Sequence, residues 1–269
     1  MSLKPRILII TGYGLNCQKE SAAAFRHAGA HDVRLIHLHD LITDPRPLDS
    51  AHLLMLIGGF SYGDHVAAGR AFATRLKYSL ATPFKKFIAD GKLILGVCNG
   101  FQILMKLGLL PDSGEGRFIQ KATITENICG RFYDAWVHLK INPLSPCIYT
   151  KGLPSLELPS RHGEGRILFK DDTVAARIKE NHQDVLHYTG PDGKPTEDFP
   201  YNPNGTEGGL AGLCNSTGRV FGLMPHPEAA ILPWTHPQAL SRSRRGDLPG
   251  KGEGLALFVN AVDFIRHGL

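Results

Sequence analysis

Residues 92–110 read KLILGVCNGFQILMKLGLL, and the reading of the five residues GVCNG at 96–100 decides the fold. An apolar run, Leu93 to Val97, precedes them. Asn99 to Leu107 follows with helical periodicity and ends at Gly108, with Pro111 beyond. Strand, small-residue turn and helix make the layout of a nucleophile elbow, in which Gly96 and Gly100 supply the missing bulk and Cys98 is presented at the turn. A thiol there also sits at a helix N-terminus, where unpaired N–H groups and the dipole favour an anion. Read alone, the motif leaves two alternatives open: a nucleophile, or a small buried thiol in an ordinary core.

The surrounding chain repeats the same alternation. Arg6 to Ile10 is a short β-branched run, and Gln18 to His27 is helical in period with Gly29 as its C-cap. Val33 to Leu38 and Leu53 to Ile57 predict further strands. The second is nearly all apolar, as in a parallel sheet buried on both faces. Helices are expected near 66–80 and 83–89, separated at Pro83. The first ~110 residues therefore predict an α/β fold with a doubly wound, mostly parallel sheet flanked by helices.

Beyond that point the pattern changes. Phe118 to Thr125, Phe132 to Ile141, Ile148 to Thr150 and Val185 to Thr189 predict short strands added antiparallel to the core. Leu210 to Cys214 and Val220 to Met224, joined by NSTGR, predict a hairpin whose second strand ends in PHPE. Ala229 to Gly254 is basic, contains prolines and has no period, which predicts a long surface loop. Leu255 to Ile265 closes the chain as an amphipathic helix. One domain over 1–269 is expected, without an internal repeat.

Composition limits the function. The chain has 269 residues and a formal charge of +5. Its basic residues are spread out except for Arg242, Arg244 and Arg245, with no aromatics between them, so nucleic-acid binding is not expected. No apolar stretch reaches the roughly 20 residues of a membrane helix, and MSLKPRILIIT lacks a signal-peptide pattern, so a cytoplasmic address is expected. The five cysteines lack paired zinc-site spacing, and four of them are read as free thiols of a reducing compartment.

A cysteine nucleophile needs a base, and the base needs an orienting group. GLMPHPE at 222–228 offers both, because residues two apart in an extended chain share a face, which joins His226 to Glu228. A bare HPE is equally a surface turn. Its place at the end of a predicted strand favours the site, since active sites of open α/β sheets gather at the carboxyl ends of strands. LIGGFSYGD at 56–64 is a third strand end. Its paired glycines can aim backbone N–H groups at the same place and form one half of an oxyanion hole, with the N–H of Asn99 as the other. No Lys-Ser/Thr stands where a phosphate-binding loop needs it.

GGFSYGDHVAAG, GVCNGFQIL, RHGEGR, NPNG and GLCNSTGRVFGLMPHPE together resemble the glutaminase subunits of phosphoribosylformylglycinamidine synthase, a branch of the class I glutamine amidotransferases. The resemblance runs from residue 6 to about 228 and resumes in the last helix. It implies that Cys98 attacks the side-chain amide of glutamine, that His226 is base and then acid, that Glu228 orients His226, and that Gly59 and Asn99 are the oxyanion donors. It also implies substrate contacts for Gln102, one helical turn after Cys98, and a place for His162 and Glu164 near the glutamine pocket or a partner. No metal is expected, since neither the HxE pair at 162–164 nor HLHD at 37–40 has further ligands nearby. HLHD is read as the polar face of a strand end. No cofactor is implied in this chain. ATP and Mg are implied in a partner, a separate ATP-dependent synthase subunit that aminates formylglycinamide ribonucleotide, with a small third subunit bridging the two.

The chain departs from that family in two places. TGYGLNCQKE at 11–20 keeps the family's Gly and Asn-Cys but varies between them, and Ala229 stands after PHPE where many members have Arg. The second change, with the long basic segment after it, bears on partner contact. Two rival readings are a γ-glutamyl hydrolase of the same fold, and a silent interaction scaffold, against which the intact Cys98, His226 and Glu228 speak.

Overall fold

The computed structural model describes residues 3–112 and 118–269. Its first part runs β1 (Arg6–Thr11), α1 (Gln18–His27), β2 (Asp32–His37), α2 (Leu38–Thr43), α3 (Pro47–Ser50), β3 (Leu53–Leu56), α4 (Arg70–Ala89), β4 (Leu93–Val97) and α5 (Asn99–Leu107). The second part runs β5 (Ala122–Glu126), β6 (Tyr133–Ile141), β7 (Ser155–His162), β8 (Glu164–Phe169), α6 (Asp172–Glu180), β9 (Asp184–Tyr188), β10 (Leu210–Cys214), β11 (Val220–Leu223), α7 (Ala239–Arg245) and α8 (Leu255–Gly268).

Among the described residues, nine strands form one sheet in the order β2-β1-β3-β4-β11-β10-β9-β6-β7, while β5 and β8 pair separately. From β2 to β11 every neighbouring pair is parallel, and from β11 onward every pair is antiparallel. The middle strands explain why. All residues of β3, β4, β10 and β11 are buried, which only a sheet covered on both faces permits. From β1 the chain steps to one side to make β2, and through β3 and α4 it steps to the other side to make β4. With right-handed crossovers, α1 and α4 therefore cover opposite faces. α1 packs on α8 through Phe25 and Phe258, whose rings meet edge-on at 4.9 Å, and α4 packs on α5. No helix of the described residues is long and apolar enough to cross a membrane.

Several expectations are corrected. The two helices expected at 66–80 and 83–89 are the single helix α4, with Pro83 inside it. An internal proline costs a helix about 3 kcal/mol. The stripe Phe72, Leu76, Leu80, Phe84 and Phe87 is wholly buried, and at roughly 1.5–3 kcal/mol per side chain that burial holds the helix together across the proline. Residues 148–150 are a turn, and Tyr149 fills the core against Phe221 at 5.4 Å instead of joining a ladder. HLHD is a helix start: His37 ends β2 and caps α2, its Nδ1 accepting the His39 N–H at 3.2 Å. Strands β7 and β8 and helix α6 lie in segments for which no element is expected.

The segment 229–254 is not an irregular surface loop. It contains 3-10 turns at Pro227–Ala230 and Pro233–Thr235 and the helix α7. Glu157 on β7 gathers it in. Its carboxylate lies 2.9 Å from His236 Nε2 and 3.2 Å from the Arg242 guanidinium, and its N–H donates to Glu253 at 2.7 Å. Part of the basic cluster is thus neutralised internally, and Arg245 pairs with Asp247.

Candidate active site

β3 runs into Gly58 and Gly59, β4 into Cys98, and β11 toward His226. Because β3, β4 and β11 are adjacent and parallel, these three ends meet on one edge of the sheet beside its topological switch, where open α/β sheets place their sites.

Cys98 stands between β4 and α5 with φ 51° and ψ −108°, a strained conformation worth about 1–3 kcal/mol in a residue with a Cβ. Its N–H donates to Leu223 O at 2.8 Å and its carbonyl accepts from Gln102 at 3.0 Å, so strand and helix both hold the strain. The turn closes only because position 100 is glycine: a Cβ there would overlap the carbonyl of Leu56. The thiol is buried, with Sγ 3.7 Å from the carbonyl of Arg161. An inert core thiol needs no such backbone, and the geometry favours a presented nucleophile.

The chain does not stay extended through PHPE. Pro227 opens a 3-10 turn directly after His226, and the turn brings Glu228 back onto the ring, with Oε1 2.6 Å from His226 Nδ1. The backbone of His226 is fixed from β7, its N–H donating to Pro159 O at 2.7 Å. Both side chains are buried, and with Nδ1 engaged, Nε2 is left without a partner. Burial opposes charge on His226, but the Glu228 carboxylate and the Cys98 thiol outweigh it and hold its pKa well above the usual histidine range. Those two partners are the groups that a base accepting the proton of Cys98 requires.

Gly59 adopts φ 137°, which an L side chain would resist. It forms an antiparallel bridge with Leu15, in which Asn16 N–H donates to Gly58 O at 3.3 Å and Phe60 N–H to Gly14 O at 2.8 Å. These bonds brace the turn without using Gly59's own N–H. Asn99 is the first residue of α5, so its N–H lies outside the helix ladder.

The side chain of Asn99 has a task that sequence reading missed. Its Oδ1 accepts from Ser61 N–H at 3.3 Å, and its Nδ2 donates to Asp64 at 3.2 Å and to Gln102 Oε1 at 2.9 Å. Gln102 Nε2 donates to Glu164 O at 2.6 Å, and Glu164 Oε2 accepts from Ala68 N–H at 3.3 Å. The amide of Gln102, expected on substrate, is thus bonded at both ends within the protein, where it ties the elbow helix to the 163–165 turn. The motif GGFSYGD already contained the signal for Asp64.

His162 is buried. Asn127 donates through Nδ2 to the carbonyls of Arg131 and His162, at 3.1 and 2.7 Å, so its Oδ1 must face His162 Nδ1 at 2.9 Å. That assigns the proton to Nδ1 and leaves Nε2 a bare, unpartnered acceptor. Burial, with a further push from His226, lowers the pKa of His162 to about 3. The unfolded chain therefore binds this proton more readily below the ordinary value of about 6.5, and the stability His162 contributes is complete above that pH and lost as pH falls toward 3. Raised His226 acts with the opposite sign, its contribution fading as pH rises through its folded pKa. In denaturant titrations between pH 6.5 and 5, wild type is expected to lose about 1 kcal/mol per pH unit more than His162→Asn; equal slopes would contradict a neutral, buried His162.

Comparison with known proteins places this geometry. The sequence pattern of the CobB/CobQ-like glutamine amidotransferase domain family matches residues 4–265. The chain is 40% identical to phosphoribosylformylglycinamidine synthase subunit PurQ of Methanococcus maripaludis over 271 residues, covering 97% of this chain and 98% of that one. It is 38% identical to the subunit of the same name from Dehalococcoides mccartyi, covering 98% and 99%. Among solved structures, the structure of PurLQS from Thermotoga maritima superposes with a TM-score of 0.70 at 29% identity, covering 98% of this chain and all of that chain.

Proposed function

Since the chain belongs to the CobB/CobQ-like glutamine amidotransferase family, we propose that it is the glutaminase subunit of phosphoribosylformylglycinamidine synthase. The observation that carries the reading is the strained Cys98 elbow, set beside an imidazole already paired with a buried carboxylate. In this mechanism Cys98 Sγ attacks the side-chain carbonyl carbon of glutamine while His226 Nε2 takes the thiol proton. Negative charge collects on the carbonyl oxygen, where the N–H groups of Gly59 and Asn99 serve as donors. Collapse breaks the C–N bond, and His226 returns the proton to the departing nitrogen, giving ammonia and a γ-glutamyl thioester. Water then attacks the thioester with His226 as base, releasing glutamate and the thiol. Glu228 keeps the ring in one tautomer and stabilises its charged form through both halves of the cycle.

Ammonia in water is soon protonated and ceases to be a nucleophile, so the product needs a sheltered route to a second site. We place that site on an ATP-dependent, Mg-requiring synthase subunit that aminates formylglycinamide ribonucleotide, with a small subunit bridging the two. His162 and Glu164 lie beside the glutamine pocket in this reading, and the neutral His162 can accept an N–H without taking up its proton. The reading places the chain in the cytoplasm, where its free cysteines stay reduced.

The test compares glutamate release by the purified chain alone and with the large subunit. Glutaminase activity is expected to rise at least about tenfold on assembly, within the usual range of coupling between sites. Full activity of the isolated chain, unchanged by partners, would overturn the coupling.

A further inference from the structure

The proposed mechanism gives Cys17 no step, yet it lies against His226 and Glu228. It is the residue before α1, half-buried, and its Sγ lies 3.4 Å from Asn16 Oδ1 and also interacts with the side chain of His226. A Cβ placed on Gly58 would come 2.8 Å from His226 Cε1 and 3.1 Å from Cys17 Sγ, so the thiol and the imidazole edge flank the same point of backbone. One donor atom from each of Cys17, His226 and Glu228 lies within 4.8 Å of the other two. Glu228 Oε2, buried beside them, has no hydrogen-bond partner.

We propose that Cys17, His226 and Glu228 bind a thiophilic divalent cation of the zinc class, and that its binding silences the site. Sulfur, imidazole nitrogen and carboxylate oxygen are the donors zinc takes, and in a tetrahedral site their atoms stand about 3.5 Å apart. The donor atoms, now spread within 4.8 Å, must therefore draw closer, and Cys17, half-buried just before α1, is the one placed to move. His226 Nδ1 and Glu228, now 2.6 Å apart, must open to about 3.3 Å as the ion replaces the proton between them. Binding shifts the ring proton from Nδ1 to Nε2 and releases the thiol proton of Cys17 to solvent, so affinity rises with pH. A fourth position stays open for water. With the ion on Nδ1 and the ring proton on Nε2, the imidazole can no longer accept the proton of Cys98. The ordinary members of this donor set are already in the site for catalysis, and Cys17 is the addition that makes three ligands.

The silencing rests on the glutaminase reading, whereas the cation site is tested apart from it, because the metal is detected spectroscopically. The probe is Co2+ added to the purified full-length chain. Wild type and Cys98→Ala are both expected to bind one equivalent with a thiolate-to-cobalt charge-transfer band that Zn2+ abolishes, and Cys17→Ala and Cys17→Ser are expected to lose the band. In the assembled complex, the Zn2+ concentration that halves each variant's own glutaminase activity should be at least about tenfold higher for Cys17→Ser than for wild type. A band that persists in both Cys17 variants, or that disappears in Cys98→Ala, would place the metal on the nucleophile and overturn the proposal. Absence of binding to wild type would also overturn it.

Discussion

Replacing Cys98 with alanine is expected to lower glutamine-dependent product formation by about 10⁴-fold or more, the usual loss when a nucleophile of a triad is removed. Synthesis driven by added ammonium salt should continue at the wild-type rate in the assembled complex. The contrast follows from the proposed division of the chemistry, in which Cys98 acts on the amide carbon alone and ammonia supplied from outside enters after that step. The measurement is product formation with glutamine and with ammonium for wild type and Cys98→Ala side by side. Equal loss with both nitrogen sources would mean that Cys98 supports the assembly and not the hydrolysis. The fold is expected to survive the change, since alanine keeps the Cβ and the backbone N–H that Leu223 O accepts.

Gly100→Ala is expected to damage the elbow severely with a single methyl group. The added Cβ would overlap the backbone carbonyl of Leu56 at the end of β3, which cannot step aside without disturbing the parallel pair β3 and β4. Overpacking against a flexible side chain costs about 1–3 kcal/mol, and overpacking against backbone is expected to exceed that range. The elbow and the Gly58–Gly59 turn are pushed apart by the same clash, so activity should fall together with the denaturation midpoint. A variant with wild-type stability and wild-type glutaminase activity would show that the elbow is looser than its contacts imply.

The part of the fold that was legible in sequence is the part buried on both sides. β3, β4 and β11 are short and apolar, and glycine or proline stands within a few residues after each, so period and punctuation agree. β7 was hidden because Pro159 interrupts SLELPSRH, although the strand tolerates it by lying at the edge of the sheet. β8 was hidden inside RHGEGRILF, whose first half reads as a motif and whose second half is too short to show a period. In α4 the proline rule was outweighed by burial, which no local rule can see. The site followed the same division. Cys98, His226 and Glu228 announced themselves by residue type and spacing, whereas Asn127, which sets the tautomer of His162, and Cys17, which reaches His226 from the other end of the chain, depend on contacts that only the folded chain makes.

The order of strands also constrains when the site can exist. β4 ends at Val97, but its neighbour on the far side, β11, begins at Val220, and Cys98 N–H is satisfied only by Leu223 of that late strand. During synthesis the strand that carries the nucleophile must wait as an open, fully apolar edge until most of the chain has left the ribosome. Such long-range closure folds slowly and exposes a template for mispairing in the interval. It also means that a truncated or half-made chain holds a cysteine but no elbow, and cannot spend glutamine.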